Sequence, residues 1–363
     1  MTSSPRLALH GGNPWALLEP SAADPSGILD FSVDVNPMGP PPSLERLLAE
    51  AAPRAAWYPE PTYREFREAA GRAEGVDPES VLPGNGTADL IHLLSRWKAG
   101  GRTGVFVPTF TEYERAAAAD AGSVTPWVAA EADGFAPRIQ EETDAELVFL
   151  CNPNNPTGVL LEKERLLGFV EQVERRGGTV VVDEAYMEFV EDGRRYSLAP
   201  MAERSRGLVV LRSLTKCFAI PGLRVGYGVG PAAIVRRLRE IQPPWALNGP
   251  AAFVAARLLA QESLSPSVRR LLGEWRSALT GELERLPWLK VFPSSANFLL
   301  CRLLDPGLSA RALAERLAER GILIRVCDDF TGLEPGRFIR VAVRRPEENG
   351  RLLDGLREAA RAG

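Results

Sequence analysis

The chain reads as an α/β protein: a mostly parallel central sheet flanked by helices, with a smaller α+β domain beside it. Three observations predict this. Its 363 residues exceed what one compact core fills. Short continuous Val/Leu runs alternate with helical patterns through the middle of the sequence. After Pro243-Pro244-Trp245 the pattern changes to a long helical tract, and then to strands interleaved with helices. The expected division is an N-terminal arm (1–42) that joins the small domain, a large domain (43–244) and a small C-terminal domain (245–363).

The first forty residues are rich in Gly and Pro and read as an extended arm. It ends at Asn36-Pro37-Met38-Gly39-Pro40-Pro41-Pro42, a cluster that breaks any helix. Leu44, Leu47 and Leu48 predict a short helix from Ser43, and a longer one follows from Pro61 to about Ala73. The runs Thr103 to Val107, Leu147 to Cys151, Thr179 to Val182, Leu208 to Leu211 and Val225 to Val229 read as strands buried on both faces. Beyond Trp245 one helical tract covers about Pro250 to Leu286. Strand-like Leu289 to Phe292, Phe298 to Leu303, Ile322 to Val326 and Phe338 to Val343 follow, with helices near Ala310 to Glu319 and Pro346 to Ala360.

Composition excludes several classes. With 45% hydrophobic and 25% charged residues the chain can bury a sizeable core. A net charge of -4, spread along the sequence, leaves no basic stripe for nucleic acid, so small molecules are the expected partners. Residues Met1 to Ser4 and Arg6 lack the apolar core of a secretory signal, and no stretch approaches the roughly 20 apolar residues that span a bilayer. A cytoplasmic protein is expected. Cys151, Cys217, Cys301 and Cys327 are widely spaced and read as reduced thiols. With only His10 and His92 available, no metal site is expected.

Residues suited to chemistry collect at the ends of the predicted strands. Lys216 lies just beyond the run that ends at Leu211, in Arg212-Ser213-Leu214-Thr215-Lys216-Cys217, with Arg224 following. An amine tucked against a sheet end suits Schiff-base chemistry; a surface lysine with its stem on apolar ground is the plain alternative. Val182-Asp183-Glu184-Ala185-Tyr186 puts an aspartate at the carboxyl end of a buried strand, where open α/β sheets bind ligands. A buried carboxylate needs a cation, and a protonated pyridine nitrogen is a suitable one; a solvated loop acid or helix cap is the alternative. Gly84-Asn85-Gly86-Thr87 opens a helix and converges backbone N–H groups on one spot, as phosphate binding requires, although Gly-Asn-Gly is also an ordinary turn. Asn152-Pro153-Asn154-Asn155-Pro156-Thr157-Gly158 is a rigid loop whose asparagines can donate to a ring oxygen, or simply a Pro/Gly turn.

In order along the chain, Gly84 to Gly86, Asn152 to Gly158, Asp183 to Tyr186 and Ser213 to Arg224 resemble the motif set of the type I aminotransferases. That resemblance implies the type I PLP-dependent aminotransferase fold and pyridoxal 5′-phosphate as cofactor. Lys216 would hold it as a Schiff base, Asp183 would pair with its ring nitrogen, and Asn155 and Tyr186 would bond its phenolic oxygen. Gly86, Thr87, Ser213 and Arg224 would hold its phosphate, and Tyr113, with Phe110 as the alternative, would stack on its ring. Tyr58 resembles the tyrosine that reaches a neighbouring subunit's cofactor phosphate, which implies a homodimer.

His10-Gly11-Gly12-Asn13, Pro244-Trp245 with Asn248, and Ile322-Leu323-Ile324-Arg325 with Phe338-Ile339-Arg340 narrow the likeness. Over nearly the whole chain they resemble the threonine-phosphate decarboxylases of cobalamin biosynthesis, close relatives of the histidinol-phosphate aminotransferases. By this likeness Arg340 would clamp the substrate carboxylate, while Arg325 and His10-Gly11 would meet its phosphate. Asp34 is the departure, standing where that group has a phosphate-contacting asparagine. A carboxylate beside a dianion is repulsive unless protonated or turned away. Either Asp34 points elsewhere, the substrate is not a phosphate ester, or its distal group carries a donor.

The implied reaction is decarboxylation of O-phospho-L-threonine to 1-amino-2-propanol phosphate, with amino transfer on histidinol phosphate or a similar amino acid as the alternative. A cofactor-binding regulator without turnover would need an added DNA-binding domain, and none fits before residue 43.

Overall fold

The computed structural model describes residues 11–17, 27–139, 143–261 and 264–361. After a two-residue strand β1 (Leu29–Asp30), the chain supplies β2 (Val81–Gly84), β3 (Arg102–Val107), β4 (Ser123–Val128), β5 (Leu147–Cys151), β6 (Thr179–Asp183), β7 (Leu208–Ser213) and β8 (Gly226–Val229) to one seven-stranded sheet. The order is β2-β8-β7-β6-β5-β3-β4. Pairs among β3 to β7 are parallel, and β8 runs antiparallel to both its neighbours. In β5, β6 and β7 every residue is buried, because helices cover both faces. The predicted α/β class and mostly parallel sheet are what the structure contains.

Two strands of this sheet lie outside the sequence expectation. β2 reads Val-Leu-Pro-Gly, so half of it consists of residues that punctuate rather than extend a strand. β4 is an edge strand, largely exposed and carrying Pro126, so no apolar run marks it. The helical tract expected from Pro250 to Leu286 is two helices, Gly249–Leu259 and Pro266–Leu283. Asn248 and Ser265 each cap the helix that follows by accepting a backbone N–H, and Pro266 sits at the first turn, where its missing N–H does no harm.

The second layer is a four-stranded antiparallel sheet of β9 (Leu289–Val291), β10 (Phe298–Leu303), β12 (Arg325–Val326) and β13 (Phe338–Ala342). The run expected as one strand from Ile322 to Val326 is divided: β11 (Ile322–Leu323) pairs in parallel with β1, whereas β12 pairs with β13. The N-terminal segment is thereby tied down. Phe31 donates to Leu323 and accepts from Ala342, and Leu29 and Phe31 enter an apolar cluster with Leu279, Leu313, Ile339 and Leu352. Among the described residues no helix is long and apolar enough to cross a membrane.

Candidate active site

The carboxyl ends of β5, β6 and β7 place Cys151, Asp183 and Leu211 side by side in register, so the loops after these strands open at one edge. Asp183 is buried there. Its Oδ1 accepts the Ala185 N–H at 3.0 Å and its Oδ2 accepts the Tyr113 hydroxyl at 2.8 Å. Burial pushes its acid up to about 6, although both hydrogen bonds and the Lys216 charge act the other way.

From Ser213 the chain turns into a single helical turn, Leu214–Cys217, which carries Lys216. Asn36 pins that turn: its N–H donates to the Lys216 carbonyl at 2.9 Å and its Nδ2 to the Cys217 carbonyl at 3.0 Å. Lys216 Nζ donates to Asp34 Oδ1 at 2.7 Å and lies 5.8 Å from the Tyr186 ring centre. Asp34 Oδ2 accepts from the Tyr186 hydroxyl and sits 2.9 Å from Arg340. Burial alone would raise the Asp34 acid, but Arg340, Lys216 and the Tyr186 hydroxyl hold it well below the usual carboxylate range. Asp34 therefore faces two cations, which favour its ionised form.

Arg340, on β13, faces Arg325 of β12 across the sheet. One terminal nitrogen donates to Asn155 Oδ1 at 2.5 Å, the other to the Ser32 carbonyl at 2.9 Å, and its buried Nε has no hydrogen-bond partner. Arg325 is buried and turned onto Asp329, which accepts at 2.7 and 2.8 Å, with the Phe330 ring beneath. Gly11 packs so closely on Ser32 that a Cβ would fall 2.2 Å from its carbonyl oxygen. The structure thus brings Gly11 to this edge; His10 lies outside the described residues.

The glycine motif forms the other end of the site. Gly84, Gly226 and Ser213 occupy one rung across β2, β8 and β7. Gly86, at φ +82°, precedes the helix Thr87–Trp97, and an added Cβ would meet the Arg224 guanidinium at 2.7 Å. The helix N-terminus and the Arg224 guanidinium lie together at Gly86, as an anion requires, with Ser213 on the neighbouring rung and its hydroxyl against Thr215. Of the loop asparagines, Asn152 is committed to Leu161, and Asn154 to Thr109, Thr157 and Pro108, which leaves Asn155 facing Arg340.

Two aromatic residues bear on the expected roles. Tyr113 is wholly buried, parallel to Phe149 with centroids 5.1 Å apart. In this arrangement its ring has no open face, so stacking on a cofactor would require it to swing out. Phe110 stands edge-on to it and is only half-buried. Tyr58 is 78% exposed and stacked on Trp245 at 4.3 Å, as a residue that reaches a neighbouring subunit requires.

A buried charge network escaped sequence reasoning. Arg212 donates to both carboxylate oxygens of Glu74 at 2.8 and 3.2 Å and pairs with Glu184 at 3.4 Å and Glu188 at 3.5 Å. These four residues, with Arg269, line a cavity of about 580 Å³ that Lys216 and Asp183 do not line. The network braces the residues next to Asp183 and Ser213. An arginine inside a buried strand was its only visible signal in the sequence.

The family model for aminotransferase class I and II matches residues 26–356. The chain belongs to this family. Among curated members, the threonine-phosphate decarboxylase of Salmonella typhimurium is 34% identical to this class I/II chain over 96% of it and 95% of the relative. The histidinol-phosphate aminotransferase of Caldanaerobacter subterraneus subsp. tengcongensis is 35% identical over 83% and 84%. The crystal structure of L-threonine-O-3-phosphate decarboxylase from Porphyromonas gingivalis superposes with a TM-score of 0.82, at 28% identity, over 92% of this chain and all of that one.

As a class I/II member the protein is an enzyme dependent on pyridoxal 5′-phosphate. The residues present fit that cofactor. An acid buried without a cation bonded to it, a cradle of N–H groups and arginine that a side chain at Gly86 would fill, and the amine of Lys216 match its ring nitrogen, phosphate and aldehyde.

Asp183 also makes stability depend on pH. Its folded value is raised above the ordinary 3.8, so the folded state binds the proton more tightly, and stability falls as pH rises from about 4 through about 6. Glu184, pushed by burial up to about 7, acts in the same direction. Asp34 acts oppositely: its stabilisation is present above the ordinary carboxylate range and is lost as pH falls below it. Cofactor-free protein is expected to melt a few degrees higher near pH 5 than near pH 7.5, corresponding to on the order of 1.4 kcal/mol from Asp183 over the one unit between pH 5 and its folded value of about 6. Added cofactor should flatten that slope, because its ring nitrogen gives Asp183 a cation; thermal melts across pH with and without cofactor check this.

Proposed function

We propose that this chain decarboxylates O-phospho-L-threonine, or a closely related amino acid, to 1-amino-2-propanol phosphate for cobalamin biosynthesis, as a cytoplasmic homodimer. One observation carries the reading: the match to the Salmonella decarboxylase, at 34% identity, runs over nearly the whole chain. The segments at the substrate end of the site, around Ser32 to Asn36 and on β12 and β13, support it.

In this reading Lys216 holds the cofactor, Asp183 keeps its ring nitrogen protonated, and Tyr186 and Asn155 bond its phenolic oxygen. Gly86, Thr87, Ser213 and Arg224 hold its phosphate. Bound there, pyridoxal 5′-phosphate supplies the electron sink that weakens whichever bond at the substrate's α carbon stands perpendicular to its ring. Arg340, with its unpartnered Nε, holds the substrate carboxylate, and Arg325 with Gly11 and His10 takes the distal phosphate. Held at both ends, the substrate presents one bond and not its neighbours. To reach Arg325 the phosphate must compete with Asp329. Trp57, Tyr58 and Trp245 are exposed aromatics, which supports their burial against a second copy, with Tyr58 reaching the neighbour's site.

Purified protein given O-phospho-L-threonine is expected to release carbon dioxide in step with amine formation. A second reading, amino transfer on histidinol phosphate or a similar amino acid, is favoured by the 35% identity to that aminotransferase. Stoichiometric conversion of the cofactor to its pyridoxamine form without carbon dioxide would establish the second and end the first.

A further inference from the structure

We propose that Tyr113 is a positioning residue acting through Asp183: its hydroxyl locks the carboxylate and keeps the proton that Asp183 shares with the cofactor's ring nitrogen on the ring. The proposal rests on Asp183 being the partner of that nitrogen, and it holds for carbon dioxide release and for amino transfer alike.

Tyr113 lies in the first turn of the helix Glu112–Ala119, with none of its surface exposed. Its ring stacks on Phe149 of β5, 4° from parallel with centroids 5.1 Å apart, beside the strand that ends in Asp183. The hydroxyl is thereby aimed at the end of β6, where it donates to Asp183 Oδ2 at 2.8 Å. Oδ1 accepts the Ala185 N–H at 3.0 Å. Each carboxylate oxygen thus has a donor from this chain, so the group cannot turn without breaking a bond. Each also keeps a second lone pair for a ring nitrogen. A Tyr113 ring that swung out to stack on the cofactor would give up this contact.

The titratable groups that act on Asp183 are the Tyr113 phenol, the Cys151 thiol in register with it on β5, and the Lys216 amine from the turn after β7. Burial pushes the thiol and the phenol up, so both stay neutral and the phenol keeps the proton it donates. Asp183 is itself pushed up to about 6 by burial, and the Tyr113 hydrogen bond is foremost among the groups that act against it. This opposition matters for the chemistry. A buried carboxylate that is too basic takes the proton of the nitrogen it faces, and a ring without that proton draws electrons weakly from the α carbon. A hydrogen bond to the charged carboxylate makes it a poorer base, which leaves the proton on nitrogen. No further reactant is involved: one proton sits either on the ring or on Asp183.

The test uses holoenzyme of the wild type, Tyr113→Phe and Asp183→Asn, each loaded with pyridoxal 5′-phosphate isotope-labelled at the ring nitrogen. The nuclear magnetic resonance of that nitrogen reports whether it carries a proton, and kcat and KM are measured beside it. Tyr113→Phe keeps a ring to pack on Phe149 and removes only the hydroxyl. In it the ratio of protonated to unprotonated ring is expected to fall about tenfold, and kcat with it, while KM stays within about twofold. A resonance in Tyr113→Phe that matches the wild type, whatever happens to kcat, overturns the proposal. Should that variant not fold, Phe149→Leu decides, because it removes the ring that aims the hydroxyl: the ratio should fall about twofold or more, and an unchanged ratio overturns the proposal. Failure of the underlying assignment looks different, because Asp183→Asn would then leave the resonance where the wild type has it.

Discussion

Lys216→Ala is expected to lower turnover by about four orders of magnitude or more and to abolish any cofactor adduct that borohydride can fix. No second amine stands ready. The sequence has four lysines; Lys98 lies over the Trp97 ring, Lys163 begins the helix Lys163–Arg175, and Lys290 pairs with Glu131. The helical turn that carries Lys216 is held through its backbone by Asn36, and Asp34 keeps Arg340 and Tyr186 as partners, so the variant should fold. Absorbance of the variant with added cofactor, borohydride reduction followed by peptide mapping, and a carbon dioxide assay check this together. A reducible adduct that survives at another residue would remove Lys216 from its assigned place.

Arg212→Met is expected to destabilise the protein by about 3–5 kcal/mol in urea unfolding. The methionine fills much of the volume, so the effect isolates charge. What remains is a set of acids with little water: side-chain exposure is 7% for Glu74, 0% for Glu184 and 27% for Glu188. Tyr227 and Ser197 still donate to Glu74 and Glu184, but neither supplies a positive charge. Adding Glu74→Gln and Glu184→Gln to the variant should recover part of the loss, because removing both partners costs less than stranding one. If Arg212→Met melts within a degree of wild type, the network is not stabilising. Cofactor retention should weaken too, since Glu184 follows Asp183 and Arg212 precedes Ser213.

The sequence by itself carried the α/β class, the parallel strands β3, β5, β6 and β7, and the residues at their ends. These signals are local: a continuous apolar run can only be a strand or helix buried on both faces, and a lysine, aspartate or Gly-Asn-Gly beside it is displaced from its usual surroundings. Edge strand β4, the Pro/Gly-rich β2 and the break at Ser265 were illegible or misread, because edges need no apolar run and a cap competes with an otherwise unbroken helical pattern.

What only the tertiary structure decided is who neutralises whom. Asp34 meets Lys216 across 182 residues of sequence, Arg212 meets Glu74 across 138, and Arg340 reaches the Ser32 carbonyl across 308. Read alone, Asp34 was a carboxylate set against a phosphate; folded, it is the counter-ion of two cations. Charge interactions act through space and strengthen as water is excluded, so no periodicity or neighbouring residue can encode them. They exist only once β7, β13 and the N-terminal segment have been brought to the same edge.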